Sequence, residues 1–399
     1  MTNHNPSFSA VISAPALLLA LAAGVHAAPI DSRFQPDDYT TGSSLSLTSG
    51  DSITFDTSGG NPSYSGTVSG SGVADTSEGG GVELAIFAFD DIDIASGVTV
   101  NVTGNRGIVL ASKSDIDFGS TMSVNGGTPN DNSTSGAAGG PGAEGGVPTS
   151  SFSSAPPSND RGDGGNAFND GVGYGGGQMS SNQGDFIAGC GGGYGGAGGD
   201  GFVGSITSGQ VAGGGVAYGD EMLTELYGGS GGSGSTKNDG GGEYGGGGGG
   251  GAISLTANGT INLSGALEAI GGTGAANTSG VNGLAGGGGS GGGILLNADI
   301  LNLTGTIDVS GGDGGDQTVD GSPTTARHGA AGGGGRVALY YLSTLTNNAT
   351  IAISGGASGW TNTQAQGTDG TLSITVIPEP ASAVLLVVGG VVLLRRRRR

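Results

Sequence analysis

Apolar residues in this chain recur two positions apart, and the pairs come in sets. Five segments, 82–104, 107–127, 252–272, 293–312 and 336–356, each hold three short alternating pieces separated by turn residues. Four of the five end in Gly-Gly. A period of two is the signature of a strand with one buried face. In the first piece the pairs are Leu84/Ile86, Ile108/Leu110, Ile253/Leu255, Ile294/Leu296 and Val337/Leu339. The second piece offers Ile92/Ile94, Ile116/Phe118, Ile261/Leu263 and Leu301/Leu303. The third offers Val100/Val102, Met122/Val124, Leu267/Ala269, Ile307/Val309 and Ile351/Ile353. Stacked in register, these pairs make three apolar ladders around one interior, with Asp, Asn, Ser and Thr facing water.

Recurrence of one strand-rich unit points to a solenoid. The predicted fold is all-β: a right-handed parallel β-helix with three faces per turn and long Gly-rich loops. Its hand follows the preference of parallel crossovers. A β-sandwich is the alternative, because the short turns also suit antiparallel hairpins; the spaced recurrence of one unit fits a solenoid better. The predicted organisation is a cap region at 28–80, solenoid units at 81–127, a Gly-rich insertion at 128–251 and further units at 252–376. Terminal coils need covering, and Ser52-Ile53-Thr54-Phe55 reads as a cap strand. Residues 371–376 read as a last, partial unit.

Glycine changes the picture between the units. The chain has 94 Gly in 399 residues, concentrated in 128–251, 273–292 and 313–335. Ordinary helix or sheet is disfavoured there by the backbone entropy glycine loses. Two readings stay open. One is a flexible tether. The other is packed, polyproline-II-like glycine strands whose bare backbones approach closely. The spacing of Tyr174, Phe186, Tyr194, Phe202, Tyr218, Tyr227 and Tyr244 offers anchors to the packed form.

Charge narrows the partners. Asp plus Glu number 33 against 12 Lys plus Arg, a net charge of −21, and without the five terminal arginines this becomes −26. So acidic a body argues against nucleic acid and anionic membrane surfaces. Cys190 is the sole cysteine, so no disulfide forms within the chain. The histidines are His4, His26 and His328, leaving no material for a histidine metal site or a Ser-His-Asp triad. β-Helical lyases and hydrolases need clustered carboxylates, or acidic calcium ligands with a Lys or Arg base. The basic candidates are Arg33, Arg106, Lys113, Arg161, Lys237, Arg327 and Arg336, and the stackable carboxylates are Asp91/Asp93 and Asp115/Asp117. Those carboxylates fall at outward positions of the repeat, which favours solvated ladder residues over a catalytic pair. The sequence therefore reads as a non-enzyme with no catalytic residues and no dedicated cofactor.

Calcium is the one ion left open. Gly195-Gly196-Ala197-Gly198-Gly199-Asp200-Gly201-Phe202 matches the β-roll nonapeptide, and Gly311-Gly312-Asp313-Gly314-Gly315-Asp316 nearly does. Neither copy stands in tandem, as a roll requires. Looser Ca2+ binding through Asp90, Asp91 and Asp93 is an alternative. Arg161-Gly162-Asp163 is best taken as a chance tripeptide.

The two ends carry an address. Residues 11–25 are mostly apolar and lead to Val25-His26-Ala27, so signal-peptide cleavage is expected between Ala27 and Ala28, making 1–27 a leader. At the other end Pro378, Glu379 and Pro380 precede an uncharged run, 381–394, and then Arg395, Arg396, Arg397, Arg398 and Arg399. As a helix the run is about 21 Å long at 1.5 Å per residue. That is short of a hydrocarbon core of about 30 Å, so the arginines would snorkel and the bilayer thin. Positive-inside bias keeps the arginines cytoplasmic as a stop signal.

The order Pro-Glu-Pro, apolar span, arginine cluster resembles the PEP-CTERM sorting signal of Gram-negative bacteria, over residues 377–399. The resemblance implies recognition of Pro378, Glu379 and Pro380 by the membrane enzyme exosortase, and removal of the tail. It also implies export, transient membrane anchoring through 381–394, and residence at the cell surface or in extracellular matrix. Taken together, the expected function is that of a surface or matrix structural protein, an adhesin or biofilm scaffold associated with exopolysaccharide. A carbohydrate-active β-helix and a calcium-stabilised matrix protein are the alternatives.

Overall fold

Alternation decides which strands form, and register decides what they enclose. The computed structural model describes residues 35–39, 43–76, 82–133, 135–143, 172–177, 187–202, 211–235, 244–278, 284–317, 328–359 and 363–377. The described residues up to Val376 form one compact unit. Among the described residues the elements are strands and two short 3-10 turns, Pro36–Asp38 and Thr363–Ala365. The protein is all-β.

Three parallel ladders carry the core. The first runs through Leu84–Phe89, Gly107–Ser112, Ala252–Ala257, Gly293–Leu303, Arg336–Asn347 and Thr371–Val376. The second joins Leu45–Leu47, Ile92–Ile94, Ile116–Phe118 and Thr260–Leu263 to the far halves of Gly293–Leu303 and Arg336–Asn347. These two long strands pass from one ladder to the other, so both belong to one 11-stranded sheet. The passage is marked by a register irregularity between Ala298 and Ile300. The third ladder is Thr121–Ser123, Ala266–Glu268, Thr306–Asp308 and Thr350–Ala352.

Inward residues of all three ladders meet in one apolar cluster. The register stacks Ile92, Ile116, Ile261 and Leu301 in one column and Met122, Leu267, Ile307 and Ile351 in another. The expected pairs hold with one exception. In Leu84–Phe89, Ala85 and Phe87 pair with Ile108 and Leu110, so Leu84 and Ile86 point away from that interior. Sequence reading placed this strand one residue out of register, which flips every side chain. The reason is physical: the strand is buried on both faces and reads as a nearly continuous apolar run, so the period-two signal disappears.

The predicted cap strand is present as Ser52–Asp56. It pairs in parallel with Thr99–Thr103 and antiparallel with Ser63–Gly66. Tyr64 of that hairpin stands with its ring 6.1 Å from those of Phe55 and Phe87 and 5.3 Å from that of Phe89, closing this end of the core. Two carboxylates stitch the turns beside it. Asp51 accepts bonds from the Thr48 N–H and hydroxyl, and Asp56 from the Ser58 hydroxyl and N–H. These bonds favour the charged form and hold both carboxyls below the ordinary value of 3.8. Their support is complete above that value and is lost as pH falls through the lower folded-state value. Acid titration followed by backbone NMR should therefore show the 48–51 and 56–58 turns loosening below pH 3.8 while they stay fixed at neutral pH.

The described glycine segments are packed, which decides between the two readings of 128–251 wherever it is described. Residues 284–292 sit at the centre. The N–H groups of Gly286, Gly289 and Gly292 donate to the carbonyls of Ala275, Gly272 and Ala269 at 2.7–3.1 Å. Those of Gly287 and Ser290 donate to Ser233 and Ser230, and those of Gly288 and Gly291 to Ala330 and Gly333. Donors thus leave in three directions with a period of three residues, the rotation of a polyproline-II strand. In return the 284–292 carbonyls accept from Gly189 and Gly192, from Gly247 and Gly250, and from Gly312 and Gly315. One extended segment is thus bonded to six others, a three-dimensional lattice and not a sheet.

Room, and not left-handed backbone, sets the demand for glycine in this lattice. No residue of 284–292 has a positive φ. A Cβ on Gly289 would fall 2.0 Å from the Gly248 carbonyl oxygen, inside any contact distance. A Cβ on exposed Gly60 would meet nothing within 4 Å. Gly289→Ala should therefore cost about 1–3 kcal/mol or more, as overpacking does, whereas Gly60→Ala should stay within about 0.5 kcal/mol. Denaturant unfolding of the two variants checks this.

Candidate ligand-binding surface

The outward positions of the second ladder build a polar column. The register aligns Ser46, Asp93, Asp117, Asn262, Asn302 and Thr346 across successive strands. Adjacent members are about 4.8 Å apart, close enough for amide-to-amide bonding. Asn302 Nδ2 donates to Asn262 Oδ1 at 2.9 Å, and Asn262 Nδ2 donates to Asp117 Oδ1 at 2.6 Å. The amides thus polarise one another in a chain that ends on a carboxylate. Asp93 and Asp117 remain exposed.

Asp91 and Asp115 do stack, as their 24-residue spacing suggested, but they are occupied. Asp91 Oδ1 accepts the Asp115 N–H at 3.3 Å, and Asp115 Oδ1 accepts the Thr260 N–H at 2.6 Å. The third ladder repeats the device. Asn125 Nδ2 donates to Glu268 Oε2 at 3.2 Å, and Asn125 Oδ1 accepts the Ile270 N–H at 2.7 Å. Two faces therefore present ordered rows of hydroxyl, amide and carboxylate groups at strand spacing. Such rows can exchange hydrogen bonds with a polyhydroxylated chain lying along them.

Other candidate residues serve the packing. The β-roll match at 195–202 lies in the glycine lattice: Phe202 is buried, and Asp200 Oδ1 accepts the Gly214 N–H at 2.8 Å. In the near match, Asp313 Oδ1 accepts the Ala357 N–H at 2.7 Å. Among the described residues no group of three or more His, Cys, Asp or Glu is placed to hold a metal ion. Cys190 is fully buried, its Sγ 3.4 Å from the Ala212 carbonyl. His328 Nδ1 accepts the Gln317 N–H and lies 3.2 Å from Asp316 Oδ1. Arg106 pairs with Glu83 at 2.8 Å and donates to the Thr57 carbonyl.

Arg336 is the residue whose role sequence reading missed. Its side chain is buried beneath the insertion, donating to the Tyr218 carbonyl at 2.8 Å and to Thr371 Oγ1 at 2.9 Å. The guanidinium carbon stands 5.5 Å from the centre of the Tyr194 ring, within cation–π range. Tyr174, Tyr218 and Tyr227 form a triangle of rings at 5.7–6.0 Å beside it. The Tyr spacing hinted at these anchors; nothing in sequence linked them to an arginine more than a hundred residues on.

Ala27, Ala28, Pro378, Glu379, Pro380, the 381–394 run, Arg395–Arg399 and Arg161-Gly162-Asp163 lie outside the described residues. Among the described residues no helix is long and apolar enough to cross a membrane. Comparison with family models, with curated proteins and with solved structures finds no match. The Asn–Asp column itself is open to a direct test. Asn262→Asp removes the amide donor and sets a carboxylate against Asp117, which should cost about 1–2 kcal/mol at neutral pH. Denaturant unfolding of the variant beside the parent chain checks this.

Proposed function

We propose that this chain is an exported structural protein of the cell surface or extracellular matrix, displaying its polar columns to exopolysaccharide. The observation that carries the proposal is the ordered Asp93–Asp117–Asn262–Asn302 row, a flat array of donors and acceptors on a rigid backbone. The parallel ladders are read as the three faces of a right-handed solenoid, the hand being that of parallel crossovers in general. Leader removal after Ala27 and processing by exosortase at Pro378-Glu379-Pro380 would deliver it, with 381–394 holding it in the membrane until then.

The non-enzymatic reading draws support from where two of the basic candidates go. Arg106 and Arg336 are engaged with backbone carbonyls and with their neighbours, and so are poorly placed to act as bases. A carbohydrate-active enzyme is the rival. Incubating the purified full chain with a panel of neutral and acidic polysaccharides separates the two. Retention on one or more polymers without cleavage is expected, and Asn262→Asp with Asn302→Asp should weaken it at least several-fold. Release of oligosaccharides at catalytic rates would overturn the scaffold reading. In the producing cell, replacing Glu379 by Ala should leave a full-length species in the membrane fraction, where the parent chain is shortened.

A further inference from the structure

The two ends of the apolar core are finished differently. One is closed by the Ser52–Asp56 hairpin and the Tyr64 ring. At the other, the first ladder stops at Thr371–Val376, which pairs with Arg336–Asn347 in the register Val337 to Leu372, Leu339 to Ile374 and Tyr341 to Val376. Val337 and Leu339 point inward and are fully buried. Leu372, Ile374 and Val376 continue that inward row, yet they are 39, 48 and 53 % exposed. Leu345, Ile351 and Ile353, which end the other two ladders, are only partly buried against the core. Among the described residues no strand pairs with the far edge of Thr371–Val376.

This edge lacks the usual protection. Free strand edges are blunted with charges, prolines, bulges or covering loops. The strand Thr-Leu-Ser-Ile-Thr-Val has no charge and no proline, and its six residues pair with the preceding strand without a break. Exposed charge is sparse in the sequence that leads into it; the Arg336 guanidinium, which donates to Thr371 Oγ1, is buried. Residues 337–377 contain one Asp, Glu, Lys, Arg or His, Asp369, in a chain of net charge −21. Copies of so acidic a chain repel one another least where few exposed charges are brought together.

We propose that this open end is a self-association surface, on which two copies pair their Thr371–Val376 strands antiparallel about a two-fold axis. The strand is self-complementary in that arrangement, as an isologous contact requires. Ile374 meets the partner's Ile374, and Leu372 meets the partner's Val376, so the inward row becomes one continuous core. A charged partner finds nothing to pair with here. The chain's own continuation, Ile377-Pro378-Glu379-Pro380, holds two prolines that have no N–H to give a ladder. The inference is independent of the proposed sorting and ligand.

Sedimentation of the purified full chain in mild detergent tests it. A dimer is expected, with Ile374→Lys raising its dissociation constant about tenfold or more while circular dichroism shows the fold retained. Ile374→Cys should give a disulfide-linked dimer on oxidation, whereas Val68→Cys, exposed at the closed end, should not. A monomer at all concentrations, or a dimer indifferent to Ile374→Lys and not cross-linked through Ile374→Cys, overturns the proposal. So does a monomer whose 371–376 amides resist hydrogen exchange, which would mean that the chain covers its own edge.

Discussion

The structure depends on backbone-to-backbone hydrogen bonding at distances that exclude side chains. Residues 284–292 reach six neighbouring segments because each exposes a bare backbone on every side. A β-strand bonds to two neighbours, in a plane, because its side chains occupy the other two directions. The three-residue rotation of an extended glycine segment frees the third dimension. Fixing glycine costs more backbone entropy than fixing any other residue. The lattice offsets that by satisfying nearly every buried N–H and C=O in its centre, which is the accounting a buried segment must meet.

This lattice and the apolar core are one construction. Each segment such as 269–277 leaves one ladder and the following one, 284–292, returns to the next, so every turn of the lattice is tied to a unit of the core. The described part of the long insertion adds further segments: 187–193 joins in parallel, and 226–235 joins antiparallel. Its tyrosines then clamp it over the first ladder, where Arg336 reaches up to the Tyr218 carbonyl and across to Thr371. From Leu84–Phe89 to the first half of Gly293–Leu303 the first ladder is buried on both faces, and Ser254, Thr256 and Asn297 at its outward positions are buried although polar.

Rigidity matters to the proposed role. A row such as Asp93, Asp117, Asn262 and Asn302 binds a polymer usefully only if its spacing is fixed in advance, because ordering loose groups on contact would consume the gain. Here the spacing is set by the parallel ladder and held by side-chain bonds within the row. The same regularity leaves a problem at the last strand, where an inward row ends in solvent.

Sequence by itself determined the strands of the five repeated segments, their stacking order and, outside Leu84–Phe89, their inward residues. The pairs Ile92/Ile94, Ile116/Phe118, Ile261/Leu263 and Leu301/Leu303 alternate cleanly because one face of the second ladder meets water. It also supplied the cap strand and the last strand. It failed at Leu84–Phe89, where burial on both faces erases alternation, and it left the glycine tracts undecided. Glycine carries no side chain and hence no pattern; whether such a tract packs depends on whether other bare backbones stand alongside in register. Only the tertiary structure decided that, by bringing 187–193, 226–235, 244–251, 269–277, 309–317 and 328–335 around 284–292. The place of Arg336 was decided in the same way, since its partners are backbone carbonyls, which every sequence contains and none advertises.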